Sequence, residues 1–541
     1  MVHGDPKRID LGTSSFTRLR EGNCLYIDKT RFIENFLNES NMVQLVVRQR
    51  RLGKSLNLDT LRCFLTDKED NRTLFKGTYV EGSHVWEMAN SAPVFLFDFK
   101  SLNKNAFKEE IFEQVRGHIV SYVDVKTLAD DLKDRVDRMV KNPQDCTGGL
   151  ILLTELVYKA TGKRSYILID EYDKLLTDNY DTGFYDEIRE FETLFLSAGL
   201  KGNNYLEKAM MTGVMRVSRE SILSGLNNLF TYDVFSDDLY TDDFGFTEGE
   251  MAELATLTDF DRQTARDWYN GVKINGKAIY NTYSVMSYLK TGRLENYWGR
   301  SGTVDIILGH LTVERQEVVE RLLSGETAEA YIDRRISLHE LAGDADDGAF
   351  YSLLAQSGYL SVECMDSDDF GSVRIPNREL MNVWRKFILK AFVKNEGKLR
   401  TLFDNIGDPP AFDRDVEWFL NDSLSYHDIA MGGSEPERVY HAFVLGILSA
   451  YQGSTCKRPL SNRESGGGRY DVLYERPDYQ VIFEFKPVAD PDKLEAAAKE
   501  ALAQIDTKRY FAEAPTGKML VKTGVAFSGK QCRVKSSLHG G

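Results

Sequence analysis

Short, almost wholly apolar runs alternate with longer stretches of helical periodicity along the first 245 residues. Residues 43–47, 92–99, 166–169 and 208–212 have the length and the β-branched or aromatic content of buried strands. Between them an amphipathic helix begins near Lys54, and residues 106–140 carry helix-length patterning. This alternation predicts an α/β domain with a mostly parallel sheet. After Phe246 the pattern turns helical, and charged helical periodicity continues from 311 to about 340. Trp268, Tyr269, Tyr280 and Tyr283 read there as core and turn packing. A glycine- and acid-rich break at 343–348 is the best internal linker, and 350–380 reads as helix, tight turn and strands. Strand patterning then returns at 463–475 and 479–488, flanked by helices at 437–451 and 491–511.

Bulk properties narrow the picture. A chain of 541 residues is too long for one core, and 42% hydrophobic with 28% charged residues is the composition of folded protein throughout. Its longest apolar runs fall far short of the roughly 20 residues that cross a bilayer, and no basic segment leads into an apolar one at the N-terminus, so a soluble protein without a membrane partner is expected. Six scattered cysteines without metal spacing suit a reducing compartment, the cytoplasm. The formal charge of -15 conceals an asymmetry: residues 431–541 hold 16 Lys/Arg against 13 Asp/Glu, a net of +3, leaving -18 for the rest. A polyanion would therefore meet the C-terminal end.

The first chemical motif spans residues 42–65, an apolar strand, a basic turn and a helix. Backbone N–H groups converge at such a turn and cradle phosphates, with Arg51 and Gly53 in the loop, Lys54 reaching the terminal phosphates and Ser55 on Mg²⁺. Arg48 stands where the general G-x-x-x-x-G-K-[ST] motif has glycine. The second motif is SYILIDEYDKLL, where a buried strand ends in two acids: Asp170 for the Mg²⁺ shell and Glu171 to polarise attacking water. At the end of the next strand, Thr212 is placed to sense the γ-phosphate or orient water, and Arg216 or Arg219 either faces phosphates across the cleft or pairs with the acidic surface.

In the C-terminal region, side chains two apart on a strand share a face, so Glu484 and Lys486 point the same way and Asp471 can join them on one divalent ion. That grouping suits phosphodiester hydrolysis, the lysine orienting water or steadying charge. Upstream Glu437 offers another carboxylate, and Gln504 and Lys508 lie on the downstream helix. Glu464 is an alternative acid or an ion-pair partner of Arg463 or Arg469, Gly466–Gly468 allows a tight turn, and His441 reads as a core or helix-surface residue.

The segments FTRLREGNCLYIDKTRFI, RQRRLGKSLNL, LIDEYDK, TGVMRVSRESILSGLNN and FGFTEGE together resemble the bacterial AAA-ATPase-like family, whose phosphate loop also lacks the first glycine. ERVYH, ESGGGRYD, FEFK and ALAQIDTKRY resemble the PD-(D/E)XK nuclease-like domain that its members commonly carry. The resemblance implies a P-loop AAA-like domain over 1–245, a helical lid or winged region over 246–342, a connector over 343–430 and a restriction-endonuclease-like α/β domain over 431–541. It implies that Tyr26, Asp28 and Lys29 lie near the base or the phosphates. It also implies Asp471 and Glu484 as metal ligands, Lys486 as the catalytic lysine, Glu437 as an accessory acid and Gln504 as a supporting group. The resulting expectation is an ATP-binding, ATP-hydrolysing switch joined to a Mg²⁺- or Mn²⁺-dependent nuclease acting on nucleic acid, DNA ahead of RNA. A homo-oligomer is compatible with it. The rival is an ATP-dependent sensor or scaffold whose nuclease fold binds without cleaving.

Overall fold

Val43–Val47 (β1) is buried at every position, as a strand covered on both faces must be, and Lys54–Leu65 (α1) follows it after a six-residue loop. Val94–Asp98 (β2), Ser165–Asp170 (β3), Leu206–Gly213 (β4) and Leu229–Tyr232 (β5) complete a five-stranded sheet of order β2-β3-β4-β1-β5. Every pairing in it is parallel. The expected helical stretch 106–140 is two helices, Phe107–Tyr122 (α2) and Asp130–Lys141. With Gly149–Thr161 (α3) and Tyr185–Leu200 (α4) they supply the crossovers that parallel strands require.

The computed structural model describes residues 1–180, 182–216, 228–236, 239–258, 260–298, 316–323, 325–334, 347–365, 369–392, 401–423, 444, 448, 460–465, 468–511, 517–529 and 531–539. They fall into two units, Met1–Gly302 with Ala330–Glu379, and Thr303–Glu329 with Leu380–Gly541. Beyond the parallel sheet the first unit adds helices at Glu248–Leu257 (α5) and Thr282–Thr291 (α6), and an antiparallel hairpin of Ser361–Met365 (β6) and Phe370–Arg374 (β7). Thr247 and Glu250 close a reciprocal capping box at the start of α5. The helix Arg378–Phe392 (α7) spans the division between the units.

In the second unit, Pro409–Ser423 (α8) precedes a five-stranded mixed sheet. Its strands are Leu460–Ser465 (β8), Gly468–Glu475 (β9), Tyr479–Pro487 (β10), Met519–Ser528 (β11) and Gln531–Leu538 (β12), paired in that order. Only β10 and β11 run parallel, joined by the crossover helix Leu494–Lys508 (α9). Alternate residues of β10 serve two faces. Val481, Phe483 and Phe485 join Phe412 and Phe419 of α8 in one core, while Ile482 packs with Ile505 of α9. Among the described residues no helix is long and apolar enough to cross a membrane.

Candidate functional site

The loop after β1 is shaped by left-handed backbone. Gly53 caps α1 at φ +85°, and Arg51 takes φ +66°, which for a residue with a Cβ is uncommon. A Cβ on Gly53 would meet nothing within 4 Å, so open space lies where a phosphate would approach the N-terminus of α1. Lys54 folds back beneath this space, its Nζ donating to the carbonyls of Arg48 and Gln49 at 3.0 Å each. Burial depresses the lysine, and the carboxylates of Glu171, Asp170 and Asp173 oppose that effect. Arg48 lies inside the protein, donating to the carbonyls of Val47 and Tyr232, with its guanidinium 5.9 Å from the ring centre of Phe244.

Neighbouring strands end at this loop, because Val46 is in register with Thr212 and Ile169 with Met211. Asp170 is thereby brought between two hydroxyls: Ser55 Oγ donates to one carboxylate oxygen at 2.5 Å and Thr212 Oγ1 to the other at 2.7 Å. This oxygen-donor set has the chemistry of a hard divalent cation site, so Ser55 and Asp170 fit Mg²⁺. Glu171 follows at φ +52°, on the wall of a cavity of about 450 Å³. Its lining includes the loop from Arg50 to Ser55 together with Leu11, Tyr26, Lys29, Tyr283 and Met286. This lining mixes charged, polar and apolar groups, as a nucleotide does.

The outward carbonyls of the loop are fixed from outside the sheet. Asn281 Nδ2 donates to Arg50 O at 3.2 Å, Thr282 Oγ1 to Arg51 O at 2.7 Å, and the Gly245 N–H to Leu52 O at 2.9 Å. Gly245 needs φ +84°, and a Cβ there would fall 2.3 Å from Ile279 Cγ2. Arg51 turns its guanidinium over Tyr283, 4.4 Å from the ring centre, and donates to the Tyr297 carbonyl. Tyr283 thus lines the cavity, whereas Tyr269 and Tyr280 are buried packing residues, as the sequence reading has them. Glu379, the second residue of α7, accepts from the Tyr297 and Trp298 N–H groups at 2.7 Å and from Ser284 Oγ. Burial pushes its carboxyl up to about 7.

Arg216 stands 3.8 Å from Asp233. Arg219 lies outside the described residues. Of the opening-segment residues, Tyr26 and Lys29 reach the cavity, while Asp28 accepts from Thr30 and from the Tyr79 N–H. Sequence reasoning did not select Asp173 or Glu192. Asp173 is 2% exposed and takes the Val214 and Met215 N–H groups on one oxygen. Burial raises it to about 6, with the Met215 N–H and Lys54 opposing and Glu171 adding to the rise. Glu192 on α4 is wholly buried, neither oxygen having a hydrogen-bond partner among the described residues. Burial and then Asp173 push it well above the usual carboxylate range.

In the second unit, Val472 of β9 pairs with Phe483 of β10, so Asp471 and Glu484 stand one step further along the same ladder. Asp471 Oδ2 accepts from the Phe485 N–H at 2.7 Å, and Glu484 Oε1 accepts from Gln504 Nε2. Glu484 is 5% exposed, and Lys486, on the same face, holds Glu500 at 2.6 Å. Tyr510, also missed in the sequence, places its hydroxyl 3.4 Å from Gln504 Nε2. Burial raises that phenol, and the charges of Glu484 and Asp471 raise it further. The paired carboxylates suit a Mg²⁺ or Mn²⁺ ion; among the described residues no third acid or histidine joins them. Glu437 and His441 lie outside the described residues, and Glu464 is placed only as a strand residue opposite Arg469.

Comparison with known proteins bears on both regions. Residues 10–223 match the AAA-ATPase-like family, described as "Predicted AAA-ATPase", and residues 435–537 match the PD-(D/E)XK nuclease superfamily. A protein of Azotobacter chroococcum mcd 1, described as "Uncharacterized protein in vnfD 5'region", is 28% identical over 383 residues, covering 69% of this chain and 68% of its own length.

Proposed function

We propose that this chain, which joins an AAA-ATPase-like domain to a PD-(D/E)XK nuclease superfamily domain, binds and hydrolyses ATP in its first unit and cleaves nucleic acid, DNA by preference, in its second. The observation that carries the ATP half is the convergence of Ser55, Asp170 and Thr212, from three distant parts of the sequence, beside a cavity that Ser55 and Glu171 line. In this reading the loop N–H groups and Lys54 receive the β- and γ-phosphates, the Tyr283 and Met286 side receives the base, and Ser55 and Asp170 hold Mg²⁺. Glu171 takes the proton from the water that attacks the γ-phosphorus, and the bond to the ADP oxygen breaks. Thr212 keeps Asp170 oriented, and Arg216 approaches the phosphates only by leaving Asp233.

For the second unit, Asp471 and Glu484 hold Mg²⁺ or Mn²⁺, which when bound supplies charge to the scissile phosphate and lowers the pKa of its water. Gln504 orients Glu484, and Lys486 steadies charge once released from Glu500. A non-cleaving sensor or scaffold is the second reading, favoured by that Lys486–Glu500 pairing and by the two-carboxylate set. The deciding experiment uses labelled single- and double-stranded DNA and RNA with Mg²⁺ or Mn²⁺, with and without ATP, comparing the protein with Lys486→Ala. Metal-dependent cleavage lost in the variant supports the nuclease. Folded protein that cleaves nothing under any nucleotide condition supports the sensor.

A further inference from the structure

The turn after β3 and the end of β4 are fastened to each other more closely than adjacent parallel strands require. Tyr172 donates its N–H to the Thr212 carbonyl at 3.0 Å and its hydroxyl to the Met215 carbonyl at 2.9 Å. Asp173 accepts the Val214 and Met215 N–H groups at 2.9 and 2.6 Å on a single oxygen. Between these four bonds sits Gly213, where a Cβ would lie 2.6 Å from the Tyr172 ring and 2.7 Å from Asp173 Oδ1. At Gly213 the clasp therefore has no room for even one added carbon.

Both clasped segments carry the proposed ATP chemistry. The turn begins with Asp170 and Glu171; the strand end begins with Thr212, bonded to Asp170, and leads to Arg216. A carboxylate suits this position because two successive N–H groups converge on it, and charge-assisted bonds of that kind are stronger than neutral ones. We propose that Asp173, helped by Tyr172, is a positioning residue for ATP hydrolysis: it makes Asp170–Glu171 and Thr212–Arg216 move as one body, so that the water-activating acid and the phosphate-sensing strand end keep their spacing through the reaction. The proposal rests on the ATPase reading above. It assigns Asp173 to turnover more than to nucleotide affinity, since its carboxylate hydrogen bonds go to Val214 and Met215 and its link to Lys54 is electrostatic alone.

The test measures Mg-ATP affinity, kcat and KM for the full chain and for Asp173→Ala, Asp173→Asn and Tyr172→Phe, with amide exchange at Val214 and Met215. Asp173→Ala is expected to lower kcat by about twentyfold or more while Kd stays within about threefold, and Asp173→Asn, which keeps an acceptor oxygen, to recover most of the loss. Tyr172→Phe keeps the ring and loses one bond, for a fall in kcat of about fivefold. A purely structural Asp173 would instead lower folded fraction, affinity and turnover together, and that outcome overturns the proposal. If Asp173→Ala does not fold, a Tyr172→Phe protein with unaltered kcat overturns it equally. Unaltered protein that binds no ATP brings down the ATPase reading and the positioning role with it. Slow exchange at Val214 and Met215, abolished in a folded Asp173→Ala, would still separate a real clasp from a failed one.

Discussion

Glu379 carries a buried carboxyl whose two closest partners are backbone N–H groups, and burial outweighs its hydrogen bonds in setting its proton affinity. Its folded value of about 7 exceeds the ordinary 4.5, so the folded state holds a proton that the unfolded state releases across that window. The stabilising contribution is therefore complete below about 4.5 and lost as pH rises through 7. Glu379→Gln keeps an acceptor oxygen and cannot ionise. Its stability relative to the unaltered protein should rise by on the order of 2 kcal/mol between pH 5 and pH 8, read by thermal unfolding; an offset equal at both pH values would refute this. At this scale the sequence was legible where chemistry is contiguous. Lys54 and Ser55 stand together after an apolar run, and Asp170 ends one. Asp173 and Glu192 were hidden because their surroundings come from β4 and α4, residues distant in the chain, and a lone acid near a helix looks like surface.

Helix α9 shows how an element becomes a site. It lies along β10 so that Glu500, Gln504 and Ile505 face Lys486, Glu484 and Ile482 respectively. The spacing of 3.6 residues per turn on the helix thus meets the spacing of two on the strand. This close approach needs Gly524 of β11, where a Cβ would fall 2.3 Å from Ala498 O and 2.4 Å from Leu502 N. Gly524→Ala should push α9 off the sheet, destabilise the unit by about 1–3 kcal/mol and cost metal-dependent cleavage far more than the stability loss explains. Cleavage at the unaltered rate would show that α9 is not what sets Glu484. The alternation in β10 was readable directly, because one of its faces is apolar throughout. Strand β12 was not anticipated: Cys532 and Val534 are its only fully buried residues, and the polar remainder gives no strand signal.

At the scale of the molecule, the two proposed phosphate chemistries sit in two units. Lys54 and Lys486 provide independent handles on them. Lys54→Ala should weaken Mg-ATP binding by at least about tenfold and remove any influence of ATP on cleavage, while metal-dependent cleavage without nucleotide persists. Lys486→Ala should abolish cleavage and leave ATP turnover within about twofold. Loss of both activities in either variant would contradict this separation. The two-unit division was partly legible, since the strand patterns at either end are strong. Its placement within α7, between Glu379 and Leu380, was not, because a helix that crosses a boundary keeps one unbroken periodicity.

Arg48, in the place where the general phosphate-loop motif has glycine, is wholly enclosed, and burial lowers its guanidinium only to about 10, so it remains a cation at neutral pH. Dissolved ions cannot approach a charge walled in this way, and its field, shared with Asp233 and Asp243, acts through protein instead of through electrolyte. Nucleotide binding should therefore keep much of its strength as ionic strength climbs from 50 to 500 mM (about a tenfold change). Binding of a polyanion to the exposed lysines and arginines of the second unit should decay steeply over the same range. At high salt the protein would then be charged with nucleotide while releasing nucleic acid, an uncoupling that a simple titration of both ligands would reveal.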